Sequence, residues 1–137
     1  MPAATGYTLT TTAELPFPDV VERVRAELKE EGFGVLTEID VQATLREKLG
    51  AEMEPYVILG ACNPPLAHRA LAADRSIGLL LPCNVVVRAT PGGTVVEALD
   101  PQIMATLTGR PELKPVADEA ARRLATALAS LKEDVQE

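Results

Sequence analysis

The chain has 137 residues, of which 47% are hydrophobic and 24% charged, and its formal net charge is −7 at pH 7. This length suits a single domain over residues 1–137, with an ordered core expected at about 6–132. The acidic charge disfavours binding to nucleic acid or to anionic lipid, because both require a basic surface. Apolar runs such as Ile77 to Leu81 are too short to cross a bilayer.

The first residues, Met1 to Thr5, have neither the basic segment nor the apolar stretch of a secretory signal, so we expect a cytoplasmic protein. In that compartment the two cysteines are expected to be thiols rather than a structural disulfide. Few Asn, Gln and Ser residues beside abundant Glu, Arg and Ala are typical of thermophilic proteins.

Polar and apolar residues alternate from Gly6 to Ala13 and again from Val35 to Val41, which predicts two half-buried strands. Between them, Pro18 and the apolar spacing that follows it predict an amphipathic helix, which ends near Gly32. The chain therefore begins in a β-α-β order.

Helix-capping residues mark the next elements. Asp40 is expected to cap a short helix that ends at Gly50. Asn63 followed by Pro64 is expected to begin another helix. The apolar run from Tyr56 to Ala61, between these helices, predicts a central strand.

The second half of the chain predicts a hairpin and a long final helix. The longest predicted strand is Ile77 to Ala89, in which Pro82 requires a bulge or an edge position. Pro91 to Gly93 is expected to turn the chain into an antiparallel strand, Thr94 to Leu99. The final helix is expected at about Pro115 to Lys132. These elements predict one α+β domain with a mostly antiparallel sheet and helices packed on one face.

Each cysteine is followed directly by an asparagine, as Cys62–Asn63 and Cys83–Asn84, and asparagine occurs nowhere else. A thiol just ahead of a helix N-terminus is favoured as thiolate, which makes Cys62 the candidate nucleophile or ligand, although it could equally be a small buried residue. Cys83 taken alone is expected in the core, and Asn84 on the opposite side of its strand. If the two units form one site, both cysteines should lie on neighbouring strands.

His68 and Met104 could complete a set of soft ligands. Two thiolates with a thioether or an imidazole suit copper(I) or zinc. The spacing matches no compact metal motif, however, and a lone histidine more often lies at the surface. The chain also lacks the nucleotide-binding loops, the G-x-S-x-G elbow and the H-E-x-x-H motif. The identity of a metal or cofactor therefore stays open.

Three segments, Tyr56 to Pro64, Leu81 to Val87 and Asp100 to Met104, resemble the family catalogued as domain of unknown function 302. The resemblance extends from Tyr7 to about Lys132. It implies a fold like that of the TATA-binding protein, with a curved antiparallel sheet, and a dimer. It implies no activity, and the fold alone does not imply binding to DNA.

Three functions follow as hypotheses. The first is a non-enzymatic homodimeric module that binds a small or soft ligand at Cys62 and Cys83. The second is a thiol-redox or thiol-transfer enzyme with Cys62 as nucleophile and Cys83 as resolving thiol. The third is a structural or partner-binding protein without a small-molecule site. A dimer is expected because Leu80 and Val86 would form an apolar patch on the uncovered sheet face.

Overall fold

The structure, a computed structural model, describes the backbone of residues 3–135 and the side chains of residues 6–131. The predicted domain, residues 1–137, extends beyond these residues at both ends. The strands are β1 (Ala3–Thr5), β2 (Thr8–Ala13), β3 (Gly34–Asp40), β4 (Tyr56–Cys62), β5 (Cys83–Thr90) and β6 (Gly93–Leu99). The α-helices are α1 (Phe17–Glu30), α2 (Val41–Leu49), α3 (Pro64–Ala73), α4 (Ile103–Thr108) and α5 (Lys114–Val135).

The strands form one six-stranded sheet in the order β1-β2-β6-β5-β4-β3. Every neighbouring pair is antiparallel. Helices α1 and α5 lie side by side against one face of this sheet. The predicted α+β class, with a mostly antiparallel sheet and helices on one face, is confirmed.

The main core lies between that face of the sheet and helices α1 and α5. Leu59, Val85 and Val96 face the helices from three adjacent strands, and each is fully buried. Val24 of α1 and Leu124 of α5 are buried against them. The alternation of apolar residues therefore places one face of strands β2, β4, β5 and β6 in the core.

A second apolar cluster lies at one end of the sheet and is built largely from helices. Helix α5 contributes to both clusters, with Val116 and Ala120 in the second and Leu124 in the first. The members of the second cluster that are buried are Leu66, Ala70, Ile77, Met104, Leu113, Val116, Ala117 and Ala120.

The predicted helix caps are confirmed. The Asp40 carboxylate accepts a hydrogen bond from the Ala43 backbone N–H at 2.9 Å, and Gly50 ends α2 with a φ of 65°. The Asn63 side chain accepts a hydrogen bond from the Leu66 backbone N–H at 3.2 Å. These signals act within four residues, so a sequence pattern is sufficient to predict them.

The prediction of one long strand from Ile77 to Ala89 is wrong. Residues Arg75–Leu80 form a 3-10 helix, and the strand begins only at Cys83. Ile77 is 1% exposed because it packs into the second cluster. Pro82 has no N–H group for a strand ladder, and β5 starts directly after it. Leu80 packs against the second cluster, so it is not on the uncovered sheet face.

The chain ends also differ from the prediction. Gly6 lies in the turn between β1 and β2, with a φ of 61°, rather than in a strand. The short strand β1, which pairs with β2, was not predicted. The final helix continues to Val135, beyond the predicted end.

The sheet face turned away from α1 and α5, here called the open face, carries Ile39, Ile58, Asn84 and Val86. Ile39 is 49% exposed, and Ile58 and Val86 are half-buried. Among the described residues, no helix is both long enough and apolar enough to span a membrane.

Candidate functional site

The two cysteines meet at one end of the sheet. Cys62 is the last residue of β4, and Cys83 is the first residue of β5, its antiparallel neighbour. The strand register pairs Cys83 with Ala61, one residue from Cys62. The predicted placement of both cysteines on neighbouring strands is confirmed.

Both cysteines line one cavity of about 20 Å³, here called the thiol pocket. Its other walls are mostly apolar and come from the second cluster, with Leu66 of α3, Met104 of α4 and Val116 of α5 among them. A space of this size holds about one water molecule. It is therefore too small for an organic ligand and large enough for a single atom.

The thiols of the pocket are free, and each cysteine is half-buried. Burial, and then the charge of the neighbouring Cys62, raise the pKa of the Cys83 thiol from 9.0 to about 11. Desolvation disfavours the charged thiolate, and a second thiolate beside it adds repulsion. Cys83 is therefore protonated at neutral pH, and any ligand that binds its sulfur as thiolate must displace this proton.

Asn63 lines the same pocket, but its oxygen is committed to capping α3. The residue is 8% exposed, and its side-chain nitrogen lies over Gly32. A Cβ on Gly32 would lie only 2.9 Å from that nitrogen, and Gly32 has a φ of 85°. Glycine is needed at position 32 for both reasons.

The remaining predicted ligands are divided between the pocket and the surface. Met104 lines the thiol pocket and is 4% exposed. His68 is exposed on α3 and does not line the pocket. Asn84 is exposed on the open face, opposite Gly60 in the register. The two Cys–Asn units are therefore not equivalent, since only Asn63 accompanies its cysteine into the pocket.

Gly60, a residue that sequence reasoning missed, packs against Pro82, which directly precedes Cys83. A Cβ on Gly60 would overlap the Thr37 hydroxyl and lie 2.9 Å from Cγ of Pro82. Gly60 thus leaves room for the Pro82 ring, which itself lines the thiol pocket. The signal for this close approach was a glycine inside an otherwise apolar strand.

Among the described residues, no three His, Cys, Asp or Glu side chains come together as a metal-binding group. The potential donors of the thiol pocket are two thiols and one thioether. Such a donor set suits soft ligands and provides no carboxylate for Mg²⁺ or Ca²⁺.

Residues 7–131 match the family model described as "Domain of unknown function DUF302". The chain belongs to this family. A crystal structure described as an uncharacterized conserved protein DUF302 from Bacillus stearothermophilus has 33% sequence identity to the chain and a TM-score of 0.87. The match covers 93% of this chain and 100% of that protein. No curated protein matches this DUF302 chain.

The first prediction concerns the order in which the DUF302 thiols react. Because the pKa of Cys83 is raised to about 11, its thiolate fraction at neutral pH is about 100-fold below that of a thiol at 9.0. Iodoacetamide should therefore label Cys62 first, as peptide mass spectrometry would show. Asn63→Ala should slow the labelling of Cys62 modestly, since it removes the cap of α3. Earlier labelling of Cys83 would contradict this order.

Proposed function

We propose that this DUF302 protein is a binding module that holds one soft, thiol-seeking ligand between Cys62 and Cys83. The observation that carries the proposal is the thiol pocket itself, where both cysteines and a methionine line one small apolar cavity. Two sulfur atoms on neighbouring strands form a chelate that a thiophilic atom can bridge.

Binding is favoured over catalysis because the side chains that could activate a thiol nucleophile are not positioned to do so. His68, the one histidine of the sequence, lies outside the pocket. Asn63 uses its oxygen as a helix cap. The burial that raises the pKa of Cys83 also disfavours this residue as a nucleophile, since a thiol enzyme needs an accessible thiolate.

A second candidate, thiol–disulfide exchange, is favoured by the position of both cysteines at adjacent strand ends. Cys62 would attack a disulfide such as oxidised glutathione, and Cys83 would then displace the second glutathione thiol. The chain would lose two protons and two electrons, and the glutathione disulfide would be reduced. Incubation with oxidised glutathione, followed by mass spectrometry, measures whether a Cys62–Cys83 disulfide forms.

The proposed module is a homodimer in which a second copy covers the open face. The exposure of Ile39 supports this arrangement, together with its neighbours Ile58 and Val86. Nucleic acid is not the proposed partner, because the net charge of −7 repels a phosphate backbone. Sedimentation equilibrium at micromolar concentration should give twice the chain mass, and a monomer mass would contradict the dimer.

The test of the proposed ligand site uses Hg(II), which two thiolates bind linearly. Reduced protein should bind one Hg(II) per chain by native mass spectrometry, and both thiols should become unreactive together. Cys62→Ser and Cys83→Ser should each lose this joint protection, whereas His68→Ala, outside the pocket, should retain it. Metal analysis of gently purified protein tests for a resident ion. Protection of one thiol only, or two independently bound ions, would contradict a shared site.

A further inference from the structure

We infer that the thiol pocket binds a single Cu(I) ion through the sulfur atoms of Cys62, Cys83 and Met104. This inference rests on the proposed function and specifies its ligand. Its basis is the combination of a cavity of about 20 Å³ with three sulfur-bearing side chains in its walls.

The small size of the cavity favours a single atom as the ligand that lies within it. Pockets for organic ligands usually enclose about 300–1,000 Å³, and the thiol pocket is far smaller. An ion bound directly by sulfur needs no hydration shell, so it fits where a hydrated ion does not. The walls around the sulfur atoms are mostly apolar, which disfavours harder ions that retain water as ligands.

The donor set selects among ions. Structural zinc is held by four ligands drawn from cysteine, histidine and carboxylates, and the described residues bring no three such groups together. Cu(I) is a soft ion that thiolates and thioethers favour. Two cysteines and one methionine therefore meet its requirements and leave those of zinc unmet.

The net charge of the bound complex is small. Binding replaces the protons of both thiols with Cu(I) and releases two protons, with no change of oxidation state. Two thiolates and one Cu(I) ion carry one net negative charge. Helix α3 begins directly after Cys62 and Asn63, so the positive end of its dipole lies beside this charge.

Met104 rather than His68 is assigned as the third ligand. Met104 is buried and lines the pocket from α4, although it is far from both cysteines in the sequence. His68 is exposed and does not line the pocket. The unbranched methionine side chain can adjust to bring its sulfur to the ion.

The test is an anaerobic competition for Cu(I) against a bathocuproine chelator, with Hg(II) binding measured in parallel. Wild-type protein should bind one Cu(I), and Met104→Leu should weaken Cu(I) binding by about tenfold or more. Hg(II) binding of the same variant should weaken much less than its Cu(I) binding, because the thiolate pair remains. His68→Ala serves as the matched control and should bind Cu(I) like the wild type.

X-ray absorption of the wild-type Cu(I) complex should show three sulfur neighbours, a measurement that does not depend on the folding of any variant. Two sulfur neighbours, or unchanged Cu(I) affinity in a folded Met104→Leu variant, would overturn the inference. Hg(II) binding without Cu(I) binding would also overturn it while leaving the proposed function intact. If neither ion bridges the cysteines, both the inference and the proposed function fail.

Discussion

Gly60→Ala should lower the free energy of unfolding by about 1–3 kcal/mol, or more, because the added methyl group has no space. Its Cβ would overlap the Thr37 hydroxyl and press against Cγ of Pro82. Thr37 belongs to β3, which pairs with β4 on one side, and Pro82 immediately precedes β5 on the other. Relief of the overlap therefore requires the Thr37 side chain to turn away and the Pro82 ring to shift. Urea denaturation of the two proteins measures the difference.

Gly34→Ala is the matched control for this substitution. Gly34 lies in β3 and pairs with Cys62 of β4. No atom lies within 4 Å of a Cβ added at Gly34. Alanine there should be neutral, or stabilising by up to about 1 kcal/mol, because glycine is unfavourable in a strand. Gly60→Ala should also speed the alkylation of Cys83, since Pro82 must shift. Equal unfolding free energies for the two variants would refute the packing role of Gly60.

The parts of the fold that depend on neighbouring residues could be predicted from the sequence. The cap of α3 by Asn63, the cap of α2 by Asp40 and the glycine that ends α2 are determined within a few residues. The period of two from Gly6 to Ala13 predicted a half-buried strand, and Leu9 and Ala13 of that strand lie in the core. This local consistency is sufficient for the α+β class.

The parts that depend on distant residues could not be predicted in this way. Ile77 to Leu80 has the apolar composition of a strand, but Ile77 is buried in a cluster built with α4 and α5, far along the chain. Periodicity alone does not distinguish a short buried strand from a short helix. The sequence identified Cys62 and Cys83 as a pair, yet their shared cavity depends on walls from α3, α4 and α5.

The two Cys–Asn units differ in a way that the sequence could predict. Asn63 and Asn84 occupy the same position after a cysteine, but one follows the end of a strand and the other lies inside one. Asn63 therefore begins a helix beside the pocket, whereas strand alternation directs Asn84 to the open face. Met104 was identified as a candidate by its chemistry, and its place in the pocket depends on the packing of α4.

The largest expected loss of stability is that of Leu59→Ala, at about 2–5 kcal/mol. Leu59 is 0% exposed on the central strand β4, where α1, α5 and the neighbouring strands enclose it. The shorter side chain loses its burial and leaves a cavity that a sheet closed by helices cannot fill. Chemical denaturation should show a lower midpoint with an unchanged slope.

Ile58→Ala is the matched comparison, because Ile58 is the adjacent residue on the same strand but faces the open side. It is half-buried, so its substitution in a monomer should cost about 1 kcal/mol, well below the cost at Leu59. If a second copy covers the open face, the loss of stability caused by Ile58→Ala is larger. The melting temperature of the protein then also depends on protein concentration, because dissociation is coupled to unfolding. Denaturation at two protein concentrations separates these cases. Equal losses for the two variants in a sample that sediments as a monomer would contradict the assignment of the two faces.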